Sequence, residues 1–181
     1  MTIDRLWAPW RLSYIVQKDS GASSEPEVQS DVPPPPPRGG CFLCHYIASE
    51  PRFDRAQYVL HRGKATVSVL NRYPYNNGHI LVAPREHKAG LADLSRDELL
   101  ECQTELVAWT EILSRAFKAQ GFNIGLNLGA AAGAGLPGHL HWHIVPRWAG
   151  DTNFMPVVAG THVLPQALDT AWEILTNARS A

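Results

Sequence analysis

Three histidines occupy alternate positions in His139-Leu140-His141-Trp142-His143-Ile144-Val145. On a β-strand this spacing puts the imidazoles on one face and Leu140, Trp142 and Ile144 on the other. A neutral imidazole carries one N–H and one lone pair near pH 7, so such a face offers a nucleophile, a hydrogen-bond donor or metal ligands. Just upstream stand Gly133, Gly135 and Gly138. Glycine lets backbone amides turn toward a ligand, and converging amides suit an anionic phosphate. Histidines entered through such a loop point to phosphorus chemistry.

The same spacing admits metal chemistry, because alternate residues of one strand can converge on zinc and leave a coordination position open. It also admits a cluster with no function. Cys41 and Cys44 form a separate Cys-x-x-Cys pair. That pair fits half of a zinc site or a redox motif, and zinc needs two further ligands.

The triad run, His-apolar-His-apolar-His-apolar-apolar, resembles the signature of the histidine triad (HIT) nucleotide hydrolases and transferases. Four flanking stretches extend the likeness: Leu6-Trp-Ala-Pro-Trp-Arg11, Asn71-Arg-Tyr-Pro-Tyr-Asn-Asn-Gly-His79, Gly121-Phe-Asn-Ile-Gly-Leu-Asn-Leu-Gly129 and Pro146-Arg-Trp-Ala-Gly-Asp-Thr-Asn153. They are similar to the bacterial branch that includes diadenosine tetraphosphate phosphorylases and hydrolases. The resemblance implies that His141 attacks the α-phosphorus of a nucleotide and forms a nucleotidyl-histidine. It implies that the backbone carbonyl of His139 fixes the tautomer of His141, and that His143 hydrogen-bonds the oxygens where charge develops. Galactose-1-phosphate uridylyltransferases carry Gln at the third position, so His143 favours hydrolysis or phosphorolysis.

By the same resemblance Asn71 faces the ribose, His79 lies near the triad, Asn127 contacts phosphate, and Gly135 and Gly138 offer amides. Cys41, Cys44, His87 of Pro84-Arg-Glu-His87 and His139 become a structural Zn2+ site, with His45 as a substitute ligand. The implied substrate is an adenosine nucleotide of the dinucleoside polyphosphate type, and the implied assembly is a homodimer. A nucleotidyltransferase or a nucleoside phosphoramidate hydrolase is the alternative within the family. A non-catalytic nucleotide-binding or zinc interaction module is the alternative outside enzymes. Many relatives carry Gln, Ser or Thr shortly before the triad, whereas Ala134 and Gly135 stand here and leave phosphate to backbone amides. Arg147, Trp148, Asp151 and Asn153 are candidates for the distal part of a dinucleotide, or plain loop residues. Tyr73, Tyr75 and Trp148 read as packing aromatics rather than base-stacking ones.

Composition sets the frame for these residues. The chain has 181 residues, 45% of them hydrophobic and 18% charged, which suits one globular domain with a sizeable core. Sixteen Lys+Arg against 17 Asp+Glu give a net charge of -1, so no basic field argues for a nucleic-acid or membrane partner. Asp4, Arg5, Pro9 and Arg11 interrupt the start of the chain, which is unlike a signal peptide or a membrane span, and the expected location is cytoplasmic. Cys102 falls in a helical pattern and reads as core.

Three segments follow along the chain: residues 1–16 as an apolar docking segment, 17–40 as a mobile linker containing Pro33 to Pro37, and 41–181 as the HIT domain. Strands are expected at 58–60, 65–70, 79–83, 123–128 and 139–145 from β-branched and apolar content between turns. Ser95-Arg-Asp-Glu98 is a capping box for a long helix, flanked by Leu94 and Leu99 at hydrophobic-staple positions, with Gly121 as its stop. Residues 165–176 read as a closing helix. The expected fold is α+β: a HIT-like antiparallel sheet with a long helix packed across it and a C-terminal helix.

Overall fold

A computed structural model of the chain describes residues 4–6, 33, 40–152, 154–159, 161–164 and 166–181. Trp7 to Ile15, most of the proline tract and Asn153 lie outside the described residues. Five apolar segments pair as one antiparallel sheet: β2 (Val59–Arg62), β3 (Thr66–Leu70), β4 (Ile80–Pro84), β5 (Gly121–Leu126) and β6 (Trp142–Arg147), in the order β2-β3-β4-β6-β5. A short strand β1 (Asp4–Leu6) pairs in parallel with β7 (Thr161–Val163), which follows helix α4 (Met155–Ala159). These two last elements had no periodic signature in the sequence.

Period-two alternation sorts the central strands between two layers. Ile80, Val82, Leu140, Trp142 and Ile144 pack under the long helix α3 (Arg96–Phe117) and the C-terminal helix α5 (Leu168–Ser180). Val67, Val69, Leu81 and Ala83 face the other way, onto helix α1 (Phe42–Ala48). The short helix α2 (Asp54–Gln57) leads into β2. The triad histidines share the α1 face, since Leu140, Trp142 and Ile144 all belong to the α3 layer.

The triad strand is shorter than its pattern. Register runs Ile80↔Ile144, Leu81↔His143 and Val82↔Trp142, and one more step pair would set Leu140 opposite Pro84, which has no N–H to give. The ladder stops at Trp142, and Leu140 N–H goes instead to the carbonyl of Lys88 at 2.6 Å. His139 and His141 therefore sit on a lead-in segment rather than inside the ladder.

Helix α3 starts as the capping box requires. Ser95 Oγ accepts from Glu98 N–H at 3.2 Å, and Glu98 Oε2 accepts from Ser95 N–H at 2.7 Å. It ends earlier than Gly121: Lys118 takes the left-handed conformation with φ 55°, and Gly121 opens β5 with an ordinary φ. Trp148 Nε1–H caps the Phe117 carbonyl at 3.1 Å, so a tertiary contact satisfies the helix end. Glu98, Glu101 and Glu105 face inward. Glu98 pairs with Lys88 at 2.7 Å, Glu101 accepts from Ala65 N, Thr66 N and Thr66 Oγ1, and Glu105 accepts from Ser68 Oγ and Arg179. The buried acids are paired, which is the condition for burying them.

The turn before β4 is fixed against α3 by Gly78, whose φ is +71° and whose added Cβ would meet the Phe117 ring at 2.8 Å. Gly78→Ala is expected to lose more than about 1 kcal/mol, through both the left-handed φ and the clash. Gly121→Ala, with nothing within 4 Å of its Cβ, is expected to stay within about 0.5 kcal/mol of the parent. Urea-denaturation midpoints of the two variants check this.

Candidate active site

His141 and His143 lie on the wall of a cavity of about 870 Å³, with Asn71, Asn127, Gly133 and Gly135 around them. Phe42, Tyr46, Val69, Leu81 and Leu136 line an apolar part of the same cavity, and Pro33 from the proline tract also reaches it. His139, His79 and Gly138 are not on that wall. His139 and His79 are fully buried behind it, and Gly138 lies against His87, where an added Cβ would stand 3.3 Å from Nε2.

The proton positions follow from the hydrogen bonds. His141 Nδ1 lies 2.8 Å from the His139 carbonyl. A carbonyl only accepts, so Nδ1 carries the hydrogen and Nε2 keeps its lone pair. His139 obeys the same rule: its Nε2 is 2.9 Å from the Pro84 carbonyl, which leaves Nδ1 bare. Tyr75 N–H donates to His79 Nδ1 at 3.0 Å, and His79 Nε2 stands 2.9 Å from His143 Nδ1. A neutral His79 therefore donates from Nε2 to His143, whose own hydrogen sits on Nε2. That atom is buried and has no partner among the described residues.

Burial, and then the neighbouring His141, push the His143 pKa down to about 4. His143 is therefore neutral near pH 7, with an N–H on Nε2 left to offer. Tyr75 stacks on it with centroids 5.9 Å apart and 19° between planes, and also packs on His79. The tyrosine packs on these two rings, in line with its reading as a packing aromatic, and its half-exposed side stands on the cavity wall. Asn71 Oδ1 accepts from Tyr73 N–H at 2.9 Å, and its Nδ2 faces His79 Nδ1 at 3.2 Å, so both ends of this amide are oriented.

On the far side of His139, four ligand atoms come together. Cys41 Sγ is 3.2 Å and Cys44 Sγ 3.4 Å from His139 Nδ1, Cys44 Sγ is 3.2 Å from His87 Nδ1, and all four lie within 4.8 Å of one another. Tetrahedral zinc, with bonds of about 2.0–2.3 Å, sets neighbouring ligands roughly 3.5 Å apart. The group fits a tetrahedral cation in donor type, spacing and the bare Nδ1 of His139. Burial first, and then Cys41, push the Cys44 thiol up to about 11, so a cation entering here competes with protons and releases them. His45 is outside this group; it stands on the cavity wall, with Nε2 3.5 Å from Gln57 Nε2.

The residues after the triad are engaged elsewhere. Arg147 binds Asp151 and Asn123, Asp151 also accepts from Asn76, and the Arg147 guanidinium holds the Asp151 carboxyl down at about 2. None of these lines the cavity. Gln57 does line it, and the sequence carried no signal for it beyond a lone amide in a short turn.

Comparison with known proteins places this geometry in context. A family model described as HIT domain matches residues 54–150. The AP-4-A phosphorylase of Mycobacterium tuberculosis (strain CDC 1551 / Oshkosh) is 36% identical over 175 residues, covering 92% of this chain and 79% of that protein. The bis(5'-nucleosyl)-tetraphosphatase [asymmetrical] of Schizosaccharomyces pombe is 33% identical over 100 residues, covering 55% of this chain and 54% of that protein. Among solved structures, a Zn-bound histidine triad family protein from Mycobacterium smegmatis superposes with a TM-score of 0.62 at 22% identity, covering 78% of this chain and 94% of that one.

The depressed pKa of His143 has a signed consequence. The unfolded chain takes up the proton near pH 6.5 and the folded chain only near 4. The contribution of neutral His143 to stability is thus complete above pH 6.5 and is lost as pH falls from there toward 4. An NMR titration of the His143 ring is expected to show a midpoint near 4, and a midpoint above 7 would remove its assignment as a neutral donor.

Proposed function

Because this chain belongs to the HIT domain family, we propose that it cleaves dinucleoside polyphosphates of the diadenosine tetraphosphate type through a nucleotidyl group carried on Nε2 of His141. The observation that carries this reading is the 2.8 Å hydrogen bond from His141 Nδ1 to the His139 carbonyl, which leaves the opposite nitrogen as a lone pair at a cavity wall. In the first step Nε2 bonds to the α-phosphorus, and the bond from that phosphorus to its bridging oxygen breaks. The rest of the polyphosphate departs with the electron pair. The charge gained by His141 in this step is shared with the His139 carbonyl through Nδ1–H. The neutral Nε2–H of His143 meets the oxygens on which negative charge builds, where a fixed donor is worth most.

In the second step an acceptor oxygen bonds to phosphorus, the P–N bond breaks and the imidazole is restored. Inorganic phosphate is the favoured acceptor, supported by likeness to a phosphorylase over most of the chain; water is the competing one. Asn71, oriented from both ends of its amide, is assigned to the ribose. Asn127 and the amides around Gly135 are assigned to phosphate oxygens. Gly138 is assigned a supporting place beside His87, with its amide as a further candidate for phosphate.

Incubation with diadenosine tetraphosphate separates the acceptors. Phosphorolysis yields ADP and ATP only when phosphate is supplied, whereas asymmetric hydrolysis yields AMP and ATP without it. His141→Ala is expected to lose turnover by at least about a thousandfold, as for removal of a covalent nucleophile. It is also expected to lose the nucleotidylated species from intact-mass spectra, while His141→Gly regains turnover with added imidazole. Normal turnover by His141→Ala would sink the mechanism.

The cation assigned to Cys41, Cys44, His87 and His139 is zinc, in a structural role. Bound there, it would supply a cross-link between α1 and the triad segment. Cys44→Ser is expected to release zinc to a colorimetric chelator, lower the thermal midpoint and reduce turnover together, because the ligand His139 also holds His141. Full zinc content in that variant would exclude the assignment.

A further inference from the structure

We infer that Cys41 and Cys44 are a modification site: hydrogen peroxide joins their sulfurs as a disulfide, and the oxidised pair disarms His141 through His139. Formation of the disulfide depends on the two thiols alone, whereas its effect on turnover rests on the reading above, in which His141 is the nucleophile. Both cysteines are partly exposed, while Cys102 is fully buried. They share one turn, with Cys41 as the N-cap of α1 and Cys44 N–H donating to Cys41 Sγ at 3.4 Å. The two sulfurs lie within 4.8 Å of each other and face the same ring nitrogen. Paired, accessible sulfurs at Cys-x-x-Cys spacing are the usual setting for reversible oxidation.

The reaction balances with peroxide as the only added reactant. One sulfur, as thiolate, attacks a peroxide oxygen; the O–O bond breaks, hydroxide leaves and a sulfenic acid forms. The other sulfur then attacks the sulfenic sulfur, so that the S–S bond forms, the S–O bond breaks and the second oxygen departs as water. Two electrons pass from the sulfurs to the peroxide, which ends as two waters. The two protons required come from the thiols, or from solvent where a cation had displaced them.

The consequence runs through the bare Nδ1 of His139. That residue is fully buried, and its Nε2–H is given to the Pro84 carbonyl at 2.9 Å. Among the described residues only the two sulfurs stand within hydrogen-bond distance of Nδ1, at 3.2 and 3.4 Å. A thiol can give this nitrogen a hydrogen and a cation can bind it; a disulfide does neither. Moving the ring proton to Nδ1 would set a bare Nε2 against the Pro84 carbonyl, acceptor against acceptor. Either way a buried acceptor is left unmet, which is costly, and the ring leaves the position that keeps the His139 carbonyl 2.8 Å from His141 Nδ1. The nucleophile loses the contact that fixes its tautomer while its own atoms are untouched.

The test treats the full chain, isolated under reducing conditions, with hydrogen peroxide. Expected is an intrachain disulfide that peptide mapping places at Cys41 and Cys44, with an intact mass lower by two hydrogens. Turnover of diadenosine tetraphosphate is expected to fall at least about tenfold, the size usual when a group that orients an active residue is lost, and to return with dithiothreitol and zinc. Nitrogen NMR shifts of the His141 ring supply a readout apart from activity: the Nδ1–H pattern of the reduced protein is expected to be lost on oxidation. Full turnover by protein that carries the Cys41–Cys44 disulfide overturns the inference, and so does a loss of turnover without that disulfide or one that dithiothreitol and zinc do not reverse. Unchanged His141 shifts in the disulfide form overturn it as well. If neither form turns over a dinucleoside polyphosphate, the chemistry assigned to His141 fails, while peptide mapping and the ring shifts still decide whether the thiols control that ring.

Discussion

The hydrogen bond between His141 Nδ1 and the His139 carbonyl governs everything else at this site, because it decides which nitrogen meets the cavity. An imidazole in the other tautomer would present N–H where the proposed attack needs a lone pair, and no amount of proximity would compensate. The acceptor is a backbone atom two residues away, so its position depends on how the His139 segment is held. Three contacts hold it. The His139 ring is tied to the Pro84 carbonyl at 2.9 Å, the same ring meets both thiols of the Cys-x-x-Cys pair, and Leu140 N–H is taken by Lys88. One residue thus joins two groups, its side chain to the Cys41, Cys44 and His87 cluster and its backbone to His141, the proposed nucleophile.

Pro84 makes this arrangement possible. Where it ends β4 the antiparallel ladder cannot continue, and the triad segment before Trp142 leaves the register of the sheet. The carbonyl of Pro84 is then available to the His139 ring instead of a neighbouring strand. A second relay runs from Tyr75 N–H through His79 to His143 and fixes the hydrogen of His143 on the side away from His79. Burial keeps that ring uncharged, which suits a donor that must not compete with His141 for protons. The two relays impose opposite roles on rings of one chemical type: a bare nitrogen on His141 and an N–H on His143.

The scaffold supports these relays by making α3 carry paired acids under the sheet. Glu101 accepts from backbone N–H groups at the β2–β3 turn, and Glu105 joins Ser68 of β3 to Arg179 of α5. Such contacts rigidify the sheet edge opposite the triad, and they are stabilising only because each carboxylate is satisfied. The three glutamates recur at helical spacing, and the fold turns them inward where Lys88, the amides of the β2–β3 turn, Ser68 and Arg179 supply donors.

What the sequence determined by itself was local in origin. Alternation of apolar residues with the triad histidines set two faces, the Cys-x-x-Cys spacing set two thiols on one turn, and the Ser95–Glu98 box set the start of α3; each needs only neighbours within one turn or one strand. Tertiary structure decided what depends on distant partners. The tautomer of His143 rests on His79, 64 residues away, and the end of α3 at Lys118 rests on Trp148, whose indole takes the last carbonyl. Spacing along a chain fixes which side chains share a face, whereas proton position, charge state and unmet hydrogen bonds are fixed by groups that only folding brings within 3 Å or so.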